Sequence, residues 1–156
     1  MMIHKNNASG FTLVELVMVI VLLGIVSAIA LPRFFERSSF GEHALFNDVL
    51  NAVRYSQKLA VASGCSTQIS ISSNSYAVLR EDACGAGTFN NAFAAFDPVT
   101  GQAGYIGNEP GIAINAVNPT TTFNALGTAD ADNTISVGSR QISIIAATGF
   151  SFDSTP

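Results

Sequence analysis

A lone carboxylate, Glu15, interrupts the run GFTLVELVMVIVLLG at residues 10–24. Ionised at the centre of a bilayer, such a side chain costs about 2.5–3.5 kcal/mol on insertion scales. A segment that keeps it needs a partner for the charge. Cys65 and Cys84 are the two cysteines of the chain, with no CxxC pair and no neighbouring histidine to turn them toward a metal. In an exported domain they would pair as a disulfide, closing a loop of roughly 20 residues worth about 3 kcal/mol in the chain-entropy model. In a reducing compartment they would remain two buried thiols. His4 precedes the apolar run, which leaves His43 on a helical stretch as a solvated or interfacial side chain. Nothing around it suggests the cleft that a Ser-His-Asp arrangement requires. Asp130-Ala131-Asp132-Asn133-Thr134 starts like a calcium loop. Ile135 stands where that loop needs glycine, however, and Gln141 where it needs glutamate. It reads better as an exposed turn. Asp97-Pro98-Val99-Thr100-Gly101 is a turn without phosphate-loop context. Phe89, Phe93 and Phe96 could line a binding patch, though core packing beneath a long loop suits them better. No catalytic, metal or cofactor site emerges, and the chain reads as a non-enzyme.

The elements that must position Glu15 and the cysteines belong to a chain of 156 residues, for which one domain is the default. Charged residues make up 12%, about half the usual quarter. Much of the deficit lies at 16–31, where no residue is charged. The remainder is rich in Ser, Thr, Asn, Ala and Gly, which suits an exported, β-rich domain better than a cytosolic enzyme. The net charge is −4, and the bases Lys5, Arg33, Arg37, Arg54, Lys58, Arg80 and Arg140 are mostly scattered. Nucleic acid is therefore not an expected partner, since phosphate binding needs clustered Lys and Arg.

Four segments follow along the chain. Residues 1–10 are short and polar. Residues 11–32 are apolar except for Thr12, Glu15 and Ser27 and close on Pro32, and about 20 apolar residues span a bilayer. Residues 33–63 stay helical but turn amphipathic. Leu45, Phe46, Val49, Leu50, Val53, Leu59 and Ala60 recur at spacings of three and four, with Gly64 placed for a C-terminal cap. From 64 to 156 the period becomes two. Thr67, Ile69 and Ile71 alternate, 72–75 is a turn, and SYAVLR is a return strand. Residues 84–111 read as a long loop with at most short strands. Later strands are expected at 112–117, 121–126, 134–137, 141–146 and 150–152, with a tight connection at 138–140. The fold class is α+β, a long N-terminal helix in two halves packed on an antiparallel sheet domain.

The string G-F-T-L-V-E at 10–15 and the following VMVIVLLGIVSAIALP resemble the processing site and hydrophobic helix of type IV prepilins and pseudopilins. The resemblance implies that residues 1–10 are a leader and that prepilin peptidase cuts between Gly10 and Phe11 and N-methylates Phe11. It implies a subunit-assembly role for Glu15, whose carboxylate would pair with the N-terminal amine of a neighbouring subunit and favour one axial register. It also implies a single pass through the bacterial inner membrane, N-terminus cytoplasmic, before entry into a periplasmic or extracellular fibre. The implied partners are membrane lipid before assembly, other pilin subunits both major and minor, and the inner-membrane assembly platform. The competing readings are a plain single-pass anchor and a secretory signal peptide, since Ala28-Ile29-Ala30 has the A-x-A form of a cleavage site. The length of the apolar run and its carboxylate argue against a signal peptide.

Further stretches resemble the FimT and type II secretion H-component group. They are LFNDVLNAVRYSQKLAVASG at 45–64, the hairpin at 66–80, TFNALG at 122–127 and TISVGSRQISIIAATGF at 134–150. ALPRFFERSSFGEHALFND, RYSQKLAVASGC and ATGFSFD are most similar to minor pilins of the mannose-sensitive haemagglutinin (MSHA) pilus system. The resemblance implies a minor pilin of an MSHA-type pilus, with a type II secretion minor pseudopilin as the alternative. DNA-binding members of the group carry arginines after the glycine of the final strand. Here that stretch is Gly149-Phe150-Ser151-Phe152-Asp153, with one acid and no base.

Overall fold

The computed structural model describes residues 12–35 and 37–156, without side chains at 29–39 and 91–94. Two compact units result, the second being Ser38–Pro156. In the first lies helix α1 (Leu13–Phe35), which continues through Pro32. Helix α2 (Arg37–Ser63) leads into the second. Its stripe is buried as the spacing predicts: Leu45, Phe46, Val49, Leu50, Ala52, Val53 and Ala60 lie in the core, with Leu59 packed against it. Burying one such large side chain is worth about 1.5–3 kcal/mol, so this face anchors the unit. The helix stops at Gly64, whose φ of 70° breaks the right-handed path and whose N–H still reaches Ala60 O at 2.9 Å.

Among the described residues, nine strands form two antiparallel sheets. In the first, β1 (Thr67–Ser72), β2 (Ser75–Glu81), β3 (Phe89–Ala94) and β6 (Thr120–Phe123) run in the order β3-β2-β1-β6, and β4 (Tyr105–Asn108) also pairs with β2. The second has the order β5-β7-β8-β9, from β5 (Ile114–Ala116), β7 (Asn133–Val137), β8 (Arg140–Ile145) and β9 (Phe150–Asp153). Thr67, Ile69 and Ile71 face inward on β1, as do Asn133, Ile135 and Val137 on β7, which is the period of two expected of half-buried strands. The stretch expected to be mainly loop contributes two strands. β4 pairs with Ser75 to Val78, and β3 pairs at Leu79 and Glu81 with a shift between them. FNNAFA has weak strand propensity, and its pairing comes from the open edge of β2.

Polar contacts fix α2 over both sheets. Ser56 Oγ lies 2.9 Å from Thr67 Oγ1, which donates to Ser56 O at 2.7 Å. Tyr76 Oη donates to Asp48 Oδ2, and burial first, then this carboxylate, raise the Tyr76 hydroxyl far above its ordinary value. Arg54 donates to Ser151 O at 3.3 Å. The Gln57 amide divides its protons between Gly127 O (2.9 Å) and Thr148 O (2.8 Å). Gly149 is pressed into this junction, where a Cβ would stand 2.0 Å from Gly127 O and 2.6 Å from Gln57 Nε2. At the β7–β8 turn, Ser139 donates to Glu42 Oε1 through its hydroxyl (2.6 Å) and its N–H (3.0 Å). Those two bonds hold the Glu42 carboxyl below its ordinary value.

Two outcomes follow from this packing. Gly149→Ala should lower stability by about 3 kcal/mol, combining overpacking with a left-handed backbone. Gly64→Ala shares the positive φ but meets nothing within 4 Å, and should lose about 1 kcal/mol. Thermal unfolding followed by circular dichroism compares the two, and equal losses would contradict the close approach at Gly149. The second concerns acid. Because the folded-state value of Glu42 is lowered, its stabilisation is complete above 4.5, the ordinary value, and is lost as pH falls through the lower folded value. Glu42→Gln should therefore be less stable than wild type at pH 7, with the gap narrowing below pH 4.5. A gap that does not change with pH would remove Glu42 from the acid limb.

Candidate functional site

Gly10 and Phe11, the expected cleavage and methylation positions, lie outside the described residues. Glu15 is described, in the first turn of α1. Its N–H donates to Thr12 Oγ1 at 3.3 Å, and Leu16 N–H donates to Thr12 O at 3.1 Å. Thr12 therefore caps the helix, with Glu15 at the third position of a Thr-x-x-Glu sequence. A carboxylate there also faces the positive end of the helix dipole. Sequence reading missed this role of Thr12, although the T-x-x-E spacing signals it. Beyond the cap, the large apolar side chains from Leu13 to Val26 are all exposed. Among the described residues no helix is long and apolar enough to cross a membrane. The described side chains of this apolar stretch stop at Ala28, short of the roughly 20 residues a bilayer needs.

Cys65 and Cys84 are joined in a disulfide, with Cα atoms 4.8 Å apart. Beside it lies Glu81, a residue that sequence reading did not single out. It is 5% exposed. Its Oε2 accepts from Ser66 N (3.1 Å) and Gly85 N (3.0 Å), and its Oε1 from Gly87 N (2.7 Å). Gly85 and Gly87 have φ of 83° and 68°, which aims successive N–H groups into one concavity of the anion-binding kind. Backbone donation from Gly85, Gly87 and Ser66 holds the carboxyl below its ordinary value. The signal in the sequence is E-x-x-x-G-x-G.

The other candidates are placed as follows. His43 is exposed, and its Nε2 lies 3.0 Å from an Arg140 nitrogen. It is an interfacial side chain between α2 and β8. Arg140 also pairs with Asp153 at 3.4 Å and lies over the Phe46 ring. On β9, the rings of Phe150 and Phe152 stack with centroids 5.8 Å apart. Asp130 and Asp132 sit in the exposed segment before β7, and their Oδ1 atoms accept from Thr122 N (3.1 Å) and Ala146 N (2.7 Å) respectively. Asp97 closes its turn by accepting from Val99 N and Thr100 Oγ1, both at 2.8 Å. The expectation that the phenylalanines pack in the core fails for Phe96, which is 61% exposed. Ala95 and Tyr105 take the inward positions there. Phe89 is half-buried on β3, and the side chain of Phe93 lies outside the description.

Comparison with known proteins adds three findings. Residues 5–31 match the prokaryotic N-terminal methylation motif. Over 54 residues the chain is 43% identical to the type IV narrow pilus major component PilA5 of Thermus thermophilus, covering 35% of this chain and 47% of that one. The match thus spans about half the length of the curated relative. Among solved structures, the minor pilin FimU of Pseudomonas aeruginosa superposes with a TM-score of 0.50 at 14% identity, over 76% of this chain and 91% of that one. The minor pseudopilin EpsH from the Type 2 Secretion System of Vibrio cholerae gives 0.51 at 10% identity, over 70% and 93%. At such identities the likeness is one of fold. The N-terminal motif is the prokaryotic methylation motif, and the helix-on-sheet fold behind it is shared with FimU and EpsH.

Proposed function

We propose that this chain is a minor pilin, a structural and assembly subunit of a type IV pilus of the MSHA type. In this reading prepilin peptidase removes residues 1–10, cutting between Gly10 and Phe11, and N-methylates Phe11. The mature helix is held in the inner membrane by lipid, delivered by the assembly platform, and covered in the fibre by other pilin subunits. The observation that carries the reading is the methylation motif at 5–31, set on a helix whose apolar side chains from Leu13 to Val26 are exposed in the isolated chain. The MSHA assignment rests on the sequence likeness of the stretches around the helix end and of ATGFSFD. Glu15 supplies the assembly contact, its carboxylate accepting the charge of a neighbour's N-terminal amine. Removing one side of such a buried pair costs about 3–5 kcal/mol, because the other charge stays uncompensated. The second reading, a type II secretion minor pseudopilin of the H-component type, shares the helix and the fold.

Three measurements test this. Mass spectrometry of the native protein's N-terminus should find methyl-Phe11, whereas a chain beginning at Leu31 would restore the signal-peptide reading. Glu15→Ala should be processed normally, yet its ratio in sheared pili to membranes should fall at least several-fold. An unchanged ratio would leave the carboxylate without an assembly role. Deleting the gene should reduce surface pili and leave type II secreted enzymes in the medium. The reverse pattern would favour the pseudopilin.

A further inference from the structure

We propose that Glu81 is a positioning residue for the Cys65–Cys84 pair, holding the two thiols at bonding distance before they are oxidised and after they are reduced. One oxygen of its carboxylate, Oε2, accepts from the N–H of Ser66 and from the N–H of Gly85. These are the residues directly after Cys65 and Cys84. A single acceptor atom therefore ties together the two backbone segments that the disulfide also joins. Further bonds complete the clamp without sulfur. Glu81 N–H donates to Ser66 O at 3.1 Å, and Asp82 N–H donates to Thr88 O at 3.0 Å. The second carboxylate oxygen takes Gly87 N–H at 2.7 Å, which curls the 84–87 turn back toward β2. Hydrogen bonds to an ionised acceptor are stronger than neutral ones, and this one is 5% exposed. None of these contacts uses a sulfur atom.

Oxidation removes two protons and two electrons from the thiols, and a disulfide oxidant such as glutathione disulfide takes them up as two thiols. The clamp does not enter that step. It raises the effective concentration of one thiol at the other, as any preorganised intramolecular geometry does.

The test uses the full chain in detergent micelles, equilibrated with set ratios of reduced and oxidised glutathione, acid-quenched and read by mass spectrometry. The probe is Glu81→Gln, which keeps the size but turns an NH2 toward backbone donors. The effective concentration of the Cys65–Cys84 pair should fall more than fivefold, and a smaller change overturns the proposal. A merely structural role would weaken oxidised and reduced chains alike and leave this quantity unmoved. If Glu81→Gln does not fold, hydrogen exchange decides instead, in a chain carrying Cys65→Ala and Cys84→Ala with Glu81 intact. The Ser66, Gly85 and Gly87 amides should stay at least tenfold protected relative to exposed loop amides. Loss of that protection shows that the disulfide holds the carboxylate, and not the reverse.

Discussion

Both sheets of the β-rich unit rest on one face of α2. The side chains from Leu45 to Ala60 join residues of both sheets in a single core cluster, and the strongest polar links radiate from the same helix. Ser56 meets β1, Asp48 meets β2, Arg54 meets β9, Gln57 meets the loops before β7 and β9, and Glu42 meets the β7–β8 turn. Neither sheet closes on itself, so the helix supplies the layer that each needs. The arrangement constrains the loops as strongly as the core. Gly127 and Gly149 sit where backbone passes against backbone under Gln57, and Gly107 lies so close to the Tyr76 ring that a Cβ would stand 2.5 Å away.

The two helices divide two kinds of burial. α2 hides its apolar stripe within the β-rich unit. The described part of α1 keeps its large apolar side chains exposed, at a cost of roughly 25 cal/mol for each Å² of apolar surface left in water. Such a helix gains from being covered. In the proposed reading, lipid and then neighbouring subunits provide the cover. Glu15 sits at the only turn of α1 where a carboxylate is locally favoured, capped by Thr12 and facing the positive helix end. The same position leaves its charge near the terminus that an incoming amine would approach.

Much of this was legible from residue spacing. The α2 stripe, its stop at Gly64, the hairpin at 67–81 and the connection at 138–140 all follow from period and turn chemistry. Strand bounds at the later elements shift by one to three residues, because the ends are set by pairing rather than by local preference. What stayed hidden has physical reasons. β3 and β4 carry Asn, Gly and Ala where strands favour branched side chains, and only the free edge of β2 recruits them. Phe96 looked like core because of its type, yet Ala95 and Tyr105 hold the inward places. Glu81 drew no attention in the sequence, and its burial becomes visible only when the turn behind Cys84 folds over it.

In the proposed reading α1 is covered first by lipid and then by other subunits. A photo-crosslinking side chain at Val19, in the native host, reports directly on what lies against that helix. That cover should give adducts to lipid in the membrane fraction and adducts to pilin subunits in sheared fibres. Adducts to this chain's own β-rich unit in both fractions, with none to lipid or to another subunit, would contradict it.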